Sequence, residues 1–282
     1  ISWNPSENMR NINSSGFTEW RRYDPEWLYI APNNLLENYP NLDTVGDYLK
    51  INFGENIKVP IYFIKHHYAH LADAIYQSPF NKGFAAVIDE YSERQSVTLG
   101  TFRNNKLSVI KTIDYPNSLG VFYSAITELI GFKPNSDEWK LMGASAYGNP
   151  KRFNNKMEKI FSWNKAEGEW ILNTQFIEHS NMRKKGYCNE KIEKFFGLKK
   201  NKNKYLEKDY YDIAASAQEI FEKRLYQILN HYNHKTRQKN LVAAGGCFMN
   251  SLANGKITKK TNFKKLFIPY AAADNGGATG AA

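Results

Sequence analysis

The stretch HHYAHLADAIYQSPFNKGFAAVIDE, residues 66–90, carries the two signals that decide the fold. Its first twelve residues are rich in alanine and leucine, which favour a helix. GFAAVIDE, residues 83–90, is an apolar run that stops at Asp89 and is typical of a buried strand. VPIYFI, residues 59–64, has the same strand character before the helix. A helix between two strands predicts an α/β domain.

The alternation of strands and helices continues to the end of the chain. A hairpin is predicted across the turn at 103–106, and Ser118 is predicted to cap a helix because apolar residues recur at helical spacing after it. The further predicted elements are a helix at 210–232, a strand at 241–246, a helix at 248–257 and a strand at 266–270 that leads into ADNGGATGAA.

Length and composition predict a globular protein. The chain has 282 residues, 42% of them apolar and 15% aromatic, which is enough for one large domain or two packed halves. It contains no uncharged apolar run of about 18 residues, and its start at Ile1 lacks the pattern of a signal peptide. We therefore expect a soluble, cytoplasmic protein. Cys188 and Cys247 are too few for a disulfide framework or a cysteine metal cage.

The net charge of +10 is concentrated in one segment. Ten Lys or Arg residues and three Glu residues fall between Arg183 and Lys208, whereas the rest of the chain is mildly basic. Because this segment is rich in asparagine and lacks periodicity, we interpret 182–208 as a solvated basic insertion. The alternative is a patch that binds anionic substrates or RNA.

Three of the six histidines fall in HHYAH, residues 66–70. On a helix, His66 and His70 lie one turn apart on the same face, about 5–6 Å between Cβ atoms, so both imidazoles can reach one metal ion. His67 points away from that face. The alternative is a pair of histidines that packs in the core without a metal.

Asp89 and two glycine-rich turns follow predicted strands. Ligands gather at this end of the strands in open α/β sheets, so the Asp89 carboxylate is a candidate for binding a metal or a magnesium-bound phosphate. An ordinary turn aspartate is the alternative. The turns at 245–246 and 274–277 allow backbone N–H groups to approach a phosphate, whereas close packing of helix on sheet is their structural alternative.

Five stretches of the chain, in order, resemble the N-terminal domain of the NodU/CmcH-type carbamoyltransferases. They are HHYAHLADAIYQSPF, AAVIDEYSE, SLGVFYSAITELIGFKPNSDEWKLMGASAYGNP, AAGGCFMNSLANGKI and AAADNGGATGAA. The resemblance covers residues 59–282 and is weakest in the basic insertion. Residues 1–58 are similar to the family only faintly, in WRRYDPEWLYIAPNNLL. We therefore predict a poorly matched segment at 1–58 and a carbamoyltransferase domain at 59–282.

The resemblance implies an α/β fold of the actin and sugar-kinase type, with two ribonuclease H-like halves around a cleft, here incomplete at the N-terminus. It implies carbamoyl-adenylate as the donor, which a C-terminal YrdC-like domain makes from carbamoyl phosphate and ATP. It also implies a small-molecule acceptor whose hydroxyl receives the carbamoyl group in secondary-metabolite or sugar biosynthesis. Neither a membrane nor a nucleic acid is an expected partner.

The family's metal ligands fall on His66, His70, Asp89 and Asp274 of this chain. The resemblance implies iron as the divalent ion, and two imidazoles with two carboxylates also suit Mn(II) or Zn(II). Such an ion would polarise the carbamoyl group during transfer.

The resemblance also implies nucleotide-binding positions in the glycine-rich turns and in DEWKLMG. These are Gly245, Gly246, Asn250, Gly276, Gly277, Glu138 and Gly143. Lys140, in the same stretch, is a candidate for neutralising a phosphate, with a structural ion pair as its alternative. His67 is a candidate for proton removal from the acceptor hydroxyl, from its position alone.

The chain departs from the family in three places. Where the family has D-G-x-G-E, this chain has DEYSE at 89–93, and the loss of both glycines adds side chains where a backbone would approach phosphate. The family's opening strand with its H-D-S-A-A turn is not found before residue 59, and no YrdC-like domain follows Ala282. We therefore expect a fragment that does not generate carbamoyl-adenylate by itself.

Two other functions compete with carbamoyl transfer to a small molecule. A tRNA threonylcarbamoyl transferase shares the fold and the HxxxH pair, and the basic segment suits RNA, but HHYAH and KLMGASAYG resemble the small-molecule family more. A non-catalytic relative would keep the fold without the metal, and the altered DEYSE loop favours that interpretation.

Overall fold

The structure is a computed structural model that describes residues 64–92, 94–178, 186–198 and 208–282. The predicted segment 1–58 and the strand predicted at 59–64 lie outside the described residues, apart from residue 64. Within the basic insertion predicted at 182–208, only 186–198 and residue 208 are described.

Seven strands form two sheets in the described part of the chain. They are β1 (Lys82–Ile88), β2 (Gln95–Arg103), β3 (Lys106–Asp114), β4 (Phe161–Asn164), β5 (Glu169–Leu172), β6 (Asn240–Ala244) and β7 (Lys265–Phe267). The main sheet has the order β3-β2-β1-β6-β7, and β4 pairs with β5 in a separate hairpin. β1, β2 and β3 are antiparallel neighbours, whereas β6 runs parallel to β1 and β7 parallel to β6. The predicted mixed α/β architecture is therefore confirmed.

Nine α-helices accompany the sheets within the described residues. They are α1 (His66–Gln77), α2 (Leu119–Leu129), α3 (Glu138–Ala144), α4 (Asn154–Ile160), α5 (Glu190–Phe196), α6 (Lys208–Thr236), α7 (Ser251–Asn254), α8 (Ile257–Lys260) and α9 (Gly277–Ala281). Short 3₁₀ turns lie at Ser145–Tyr147, Gly246–Met249 and Asp274–Gly276. None of the described helices combines the length and the apolar character needed to cross a bilayer.

The central strand β1 is buried on both faces. Side chains alternate between the faces of a strand, and Ala85 and Val87 pack with residues of α1, whereas Phe84, Ala86 and Ile88 pack with residues of α2 and α6. Full burial of a side chain such as Phe84 stabilises the fold by about 2–3 kcal/mol. The C-terminal end of β1 is therefore held firmly between two layers.

Local sequence signals are confirmed at the hairpin and at α2. Asn104 and Asn105 adopt φ values of 46° and 62°, the positive region that a two-residue hairpin turn between β2 and β3 requires. The Ser118 side chain accepts a hydrogen bond from the Val121 N–H at 3.0 Å and caps α2. The helix predicted at 210–232 is also confirmed, because α6 contains it.

The helix predicted at 248–257 is confirmed only in part, because the segment is helical but not one continuous helix. The Asn250 side chain accepts a hydrogen bond from the Ala253 N–H at 3.0 Å and begins a new helix, so the chain forms a 3₁₀ turn, α7 and α8 instead. β7 ends at Phe267, earlier than the strand predicted at 266–270, and Pro269 has no N–H for the ladder. The sequence does not predict the β4–β5 hairpin.

Candidate metal centre

The first turn of α1 presents two histidines on one face. His66 and His70 are 4% and 0% exposed, and their Nε2 atoms are 3.0 Å apart. Two imidazoles so close repel each other when both are protonated, and a neutral ring, a neighbouring carboxylate or a metal ion in place of the protons relieves that repulsion. The helical spacing therefore brings two nitrogen donors to one point.

Two aspartates complete the cluster from other parts of the chain. Asp89 directly follows β1, and its Oδ2 lies 3.2 Å from His66 Nε2 and 3.3 Å from His70 Nε2. Asp274 begins the 3₁₀ turn before α9, and its Oδ1 lies 3.2 Å and 3.3 Å from the same nitrogens. We call these four residues the metal cluster.

The carboxylate of Asp89 is oriented by backbone N–H groups. Its Oδ1 accepts hydrogen bonds from the Glu90 N–H at 2.8 Å and from the Gly246 N–H at 3.1 Å, which leaves Oδ2 to face the histidines. Gly245 makes this approach possible: its φ is +98°, and a Cβ there would lie 2.4 Å from the Ile88 carbonyl oxygen. The glycine turn thus positions a ligand atom.

The distances within the metal cluster fit a bound divalent ion. Ligand atoms held about 2.0–2.2 Å from one ion lie about 3.0–3.5 Å from their neighbours. The nitrogen–oxygen distances of 3.2–3.3 Å and the nitrogen–nitrogen distance of 3.0 Å meet that requirement. One candidate ligand atom from each of the four residues lies within 4.8 Å of the others. Nitrogen and oxygen donors in equal number suit Fe(II), Mn(II) or Zn(II).

The carboxylates reverse the effect of burial on the two histidines. Burial lowers the pKa of His66, but hydrogen bonds to Asp274 and Asp89 outweigh it and raise the pKa to about 10. The pKa of His70 is raised by the same two carboxylates against its burial. Burial raises the pKa of Asp89, but the histidines hold it well below its usual range. A metal ion that binds here must therefore displace protons from imidazole.

His67 lies on the other side of α1. Its Nδ1 is 2.8 Å from Thr98 Oγ1 on β2, and the residue is 2% exposed. Burial lowers the pKa of His67 to about 3, so its ring is neutral. The structure does not bring His67 to the cavity beside the metal cluster, and this position does not support the proton-removal role suggested from sequence.

A cavity of about 590 Å³ opens beside the metal cluster. Asp89 and Asp274 form part of its wall, and three further predicted residues, Glu138, Gly246 and Asn250, also line it. This volume suits a nucleotide-sized ligand. The cavity and the cluster therefore share one wall, and a ligand in the cavity lies beside a bound ion.

The remaining predicted nucleotide-site residues do not line this cavity. Lys140 forms an ion pair with Asp137 at 2.9 Å, which is the structural alternative to a phosphate contact. A Cβ on Gly276 would lie 2.0 Å from the Ala271 carbonyl oxygen, so close packing explains that glycine. Gly143 is exposed, with open space where a side chain would stand. Gly245 acts through the Asp89 turn, and Gly277 is buried at the start of α9.

Asn250 has structural partners as well as a place in the cavity wall. Its Nδ2 donates to Gln218 Oε1 at 2.9 Å, and Gln218 Nε2 donates back to its Oδ1 at 3.0 Å. Because the same Oδ1 caps α7, Asn250 holds α6 and α7 together. A nucleotide contact by this side chain would compete with those bonds.

Sequence reasoning missed a hydrogen-bonded wall of the cavity. Glu90 stands where the resemblance predicts glycine, and it accepts a hydrogen bond at 2.5 Å from the hydroxyl of Tyr187, which in turn accepts one from the side-chain amide of Asn135 at 2.9 Å. Gly120 leaves room for this arrangement, since a Cβ there would lie 2.6 Å from Glu90 Cα. The feature of the sequence that could have indicated this wall is the difference between DEYSE in this chain and D-G-x-G-E in the family. Part of the predicted basic insertion thus supports the cavity.

Sequence reasoning also missed the large apolar side chains in the cavity wall. Trp139 and Met249 line the cavity, although 64% and 66% of each residue is exposed. Met142 lies beside them in the same wall. An apolar wall opposite a charged cluster is typical of a site for an amphipathic small molecule.

Comparison with known proteins shows which family this chain is similar to. The family described as Carbamoyltransferase N-terminus matches residues 20–282. An uncharacterised protein of Synechocystis sp. is 35% identical over 224 residues, which cover 79% of this chain and 36% of that protein. The nodulation protein NolNO of Sinorhizobium fredii is 26% identical over 226 residues, which cover 79% of this chain and 31% of that protein. The chain therefore spans about a third of the length of these curated relatives.

The chain also superposes on a solved structure. The crystal structure of T. kodakarensis HypF superposes with a TM-score of 0.40 and 15% sequence identity. The superposition covers 83% of this chain and 37% of that chain.

Proposed function

Because this chain belongs to the carbamoyltransferase family through its N-terminal domain, we propose that it carries the acceptor side of a metal-assisted carbamoyl transfer. The donor is carbamoyl-adenylate, made from carbamoyl phosphate and ATP by a YrdC-like domain. The acceptor is a hydroxyl of a small molecule in secondary-metabolite or sugar biosynthesis. The observation that carries the proposal is the metal cluster in the wall of a cavity of about 590 Å³.

The sheet order supports the actin-like and sugar-kinase-like fold within this proposal. Three antiparallel strands followed by two parallel ones, in the order β3-β2-β1-β6-β7, are what one ribonuclease H-like half contains. Asp89 and Gly246 follow the C-terminal ends of the neighbouring parallel strands β1 and β6. Ligands of open α/β sheets bind at this edge.

Each residue of the metal cluster has a defined part in the proposed reaction. His66 and His70 would bind the ion through Nε2, Asp89 through Oδ2 and Asp274 through Oδ1. When bound, the ion supplies a Lewis acid that offsets negative charge on the carbamoyl oxygen. The N–H groups of Glu90 and Gly246 keep Asp89 in place, so that the ligand geometry is ready before substrate binds.

The transfer step exchanges one bond to the carbamoyl carbon for another. The acceptor oxygen forms a bond to that carbon, the bond to the phosphate oxygen breaks, AMP leaves, and the hydroxyl proton leaves with a base. His67 is not assigned as that base, because it is buried against Thr98 and outside the cavity wall. We also expect the chain alone to release no pyrophosphate from ATP and carbamoyl phosphate, since that step belongs to the YrdC-like domain.

Metal content measured after anaerobic purification tests the proposal. We expect about one iron, manganese or zinc ion per chain, lost in His70→Ala and retained in the control His234→Gln, whose histidine is exposed on α6. Loss in both variants, or absence of metal from the unsubstituted chain, would contradict the proposal and favour a non-catalytic relative.

A second measurement separates carbamoyl transfer from the tRNA alternative. We expect the metal-loaded chain, with water in place of the acceptor hydroxyl, to accelerate AMP release from carbamoyl-adenylate generated in the reaction by a separate YrdC-like domain, and His70→Ala to abolish that acceleration. Salt-dependent tRNA binding together with failure to accelerate AMP release would support the tRNA-modifying alternative instead.

A further inference from the structure

A second pocket, which we call the basic pocket, lies at the opposite end of the main sheet. It has a volume of about 480 Å³ and is lined by Lys82, Arg103, Arg237, Gln238, Lys239, Asn240, Lys264 and Lys265. Six of these eight residues are cationic and none is acidic. The lining of the basic pocket is therefore uniformly positive.

The basic pocket is remote from the metal cluster. Lys82 begins β1, whereas Asp89 directly follows its last residue. A strand of this length spans about 23 Å. Lys239 precedes β6 and Lys265 begins β7, so these strands also present their N-terminal ends to the pocket. A small ligand in the basic pocket therefore does not reach the metal cluster.

Backbone pairing forces the cations together. Lys82 and Arg103 are direct partners across β1 and β2, and like charges in that arrangement destabilise a sheet. The N–H groups of Lys264 and Lys265 both donate to the Lys239 carbonyl, at 2.7 and 3.2 Å. The register of the sheet and of the adjoining loop thus fixes the positions from which these charges extend.

Several cations elsewhere in the described chain have carboxylate partners, although others, such as Lys151 and Lys165, have none. Examples are Lys111 with Glu169, Arg152 with Asp212 and Lys256 with Glu222. In the described ranges, by contrast, none of the six cations of the basic pocket forms an ion pair or a side-chain hydrogen bond. No carboxylate of the described residues therefore neutralises their mutual repulsion.

We infer that the basic pocket binds a compact oligophosphate, either an inorganic chain or the phosphate chain of a nucleotide. Several cations around one pocket match a ligand that carries several negative charges close together. Arginine and lysine both bind phosphate oxygens, arginine through its planar fork and lysine as a point charge. Binding of such a ligand would remove the repulsion that the sheet imposes.

The lining argues against a nucleic acid as the ligand. Surfaces that bind single strands combine cations with aromatic side chains on which bases stack. The residues of the basic pocket include no aromatic side chain, and the cations surround one pocket instead of following a groove. Recognition therefore depends on phosphate groups and not on bases.

Calorimetric titration of the metal-free chain with sodium tripolyphosphate at low salt tests this site. The test variant is Arg237→Gln/Lys264→Gln. The control Lys151→Gln/Lys165→Gln removes the same charge from exposed positions outside the pocket. We expect one ion per chain, affinity at least tenfold weaker in the test variant and less than twofold weaker in the control. His70→Ala should bind as tightly as the unsubstituted chain.

Thermal unfolding without ligand shows whether the test variant folds, and we expect its midpoint to be equal or higher because repulsion is relieved. ATP that binds with similar affinity identifies nucleotides as a second source of the phosphate chain, whereas ATP that fails to bind restricts the ligand to inorganic chains. Equal weakening in both variants, no binding to the unsubstituted chain, or a single-stranded oligonucleotide that binds more tightly than tripolyphosphate would each overturn the inference.

Discussion

Arg224 and the three buried residues of the metal cluster, His66, His70 and Asp89, show two ways of burying charge. Only 1% of the Arg224 side chain is exposed, and every end of its guanidinium has a partner within the chain. It donates to the Phe161 carbonyl at 3.0 and 2.6 Å and to Gln227 at 2.8 Å, and it pairs with Glu158. In the metal cluster, by contrast, four ionisable groups face one another, and His70 Nδ1 is buried without a partner.

The difference separates a buried charge that stabilises the fold, Arg224, from buried charges that are available to bind a ligand, those of the metal cluster. Fixed carbonyl, amide and carboxylate acceptors satisfy Arg224, so its charge needs nothing from outside the chain. In the metal cluster, a bound metal ion would replace the imidazole protons as the partner of the two carboxylates. Substitution should therefore reduce stability at Arg224 and metal affinity in the cluster.

The largest effect is expected from Arg224→Met. It removes the guanidinium from four hydrogen bonds and leaves the Phe161 carbonyl buried without its donor, so the free energy of unfolding should fall by about 3 kcal/mol. Urea unfolding measures this change. Metal content of the folded variant should stay unchanged, and a decrease below about 1 kcal/mol would show that the two regions do not differ as described.

Asp89→Asn tests the metal cluster, and it should reduce metal affinity. The amide oxygen can still accept from the Glu90 and Gly246 N–H groups, but an amide replaces the ligand oxygen. We expect metal affinity to fall about a hundredfold, equivalent to about 2.7 kcal/mol. Competition with a chelating dye gives the affinity, and an affinity within threefold of the unsubstituted chain would remove Asp89 from the ligand set.

Metal affinity should also rise with pH. The pKa of His66 is raised to about 10 in the metal-free chain, so its imidazole is protonated at both pH 6.5 and pH 8.0. Since the metal binds the neutral ring, each proton displaced makes the apparent affinity rise about tenfold per pH unit, or about 30-fold over this interval. Dye competition at the two pH values measures the rise, and equal affinities would contradict it.

The smallest effect concerns Glu158. Burial raises the pKa of Glu158, but hydrogen bonds from Lys223 and Arg224 outweigh it and lower the pKa below its ordinary value. A carboxylate with a lowered folded-state pKa contributes stability above its unfolded pKa, and that contribution is lost as pH falls through the folded value. The stability difference between the unsubstituted chain and Glu158→Gln, about 1 kcal/mol at pH 7, should therefore shrink toward pH 3 in denaturant titrations. A constant difference would be inconsistent with this ion pair.

Local sequence patterns were sufficient to predict much of the metal cluster. The i, i+4 spacing of His66 and His70 follows from helix geometry, and the position of Asp89 follows from the end of an apolar run. The resemblance supplied Asp274 as a ligand. These residues could be grouped from sequence because strand ends of one parallel sheet meet at one edge.

Other features required the folded chain. Lys140 pairs with its neighbour Asp137 instead of lining the cavity, and Tyr187 reaches Glu90 across 97 positions of sequence. The predicted helix at 248–257 divides because Asn250 caps a new helix and bonds to Gln218 on α6. The contacts of Tyr187 with Glu90 and of Asn250 with Gln218 join residues that no short window of sequence contains.

The sequence by itself determined the alternation of strands and helices, the two histidines on one face of α1 and the carboxylate at the end of β1. Periodicity and capping depend on residues a few positions apart, and the backbone dihedral angles set their spacing. Only the tertiary structure decided the distances at which the four ligands face one another, the full pairing of Arg224 and the position of six cations around one pocket. Those outcomes depend on the path of the chain, which brings together side chains that are remote in sequence.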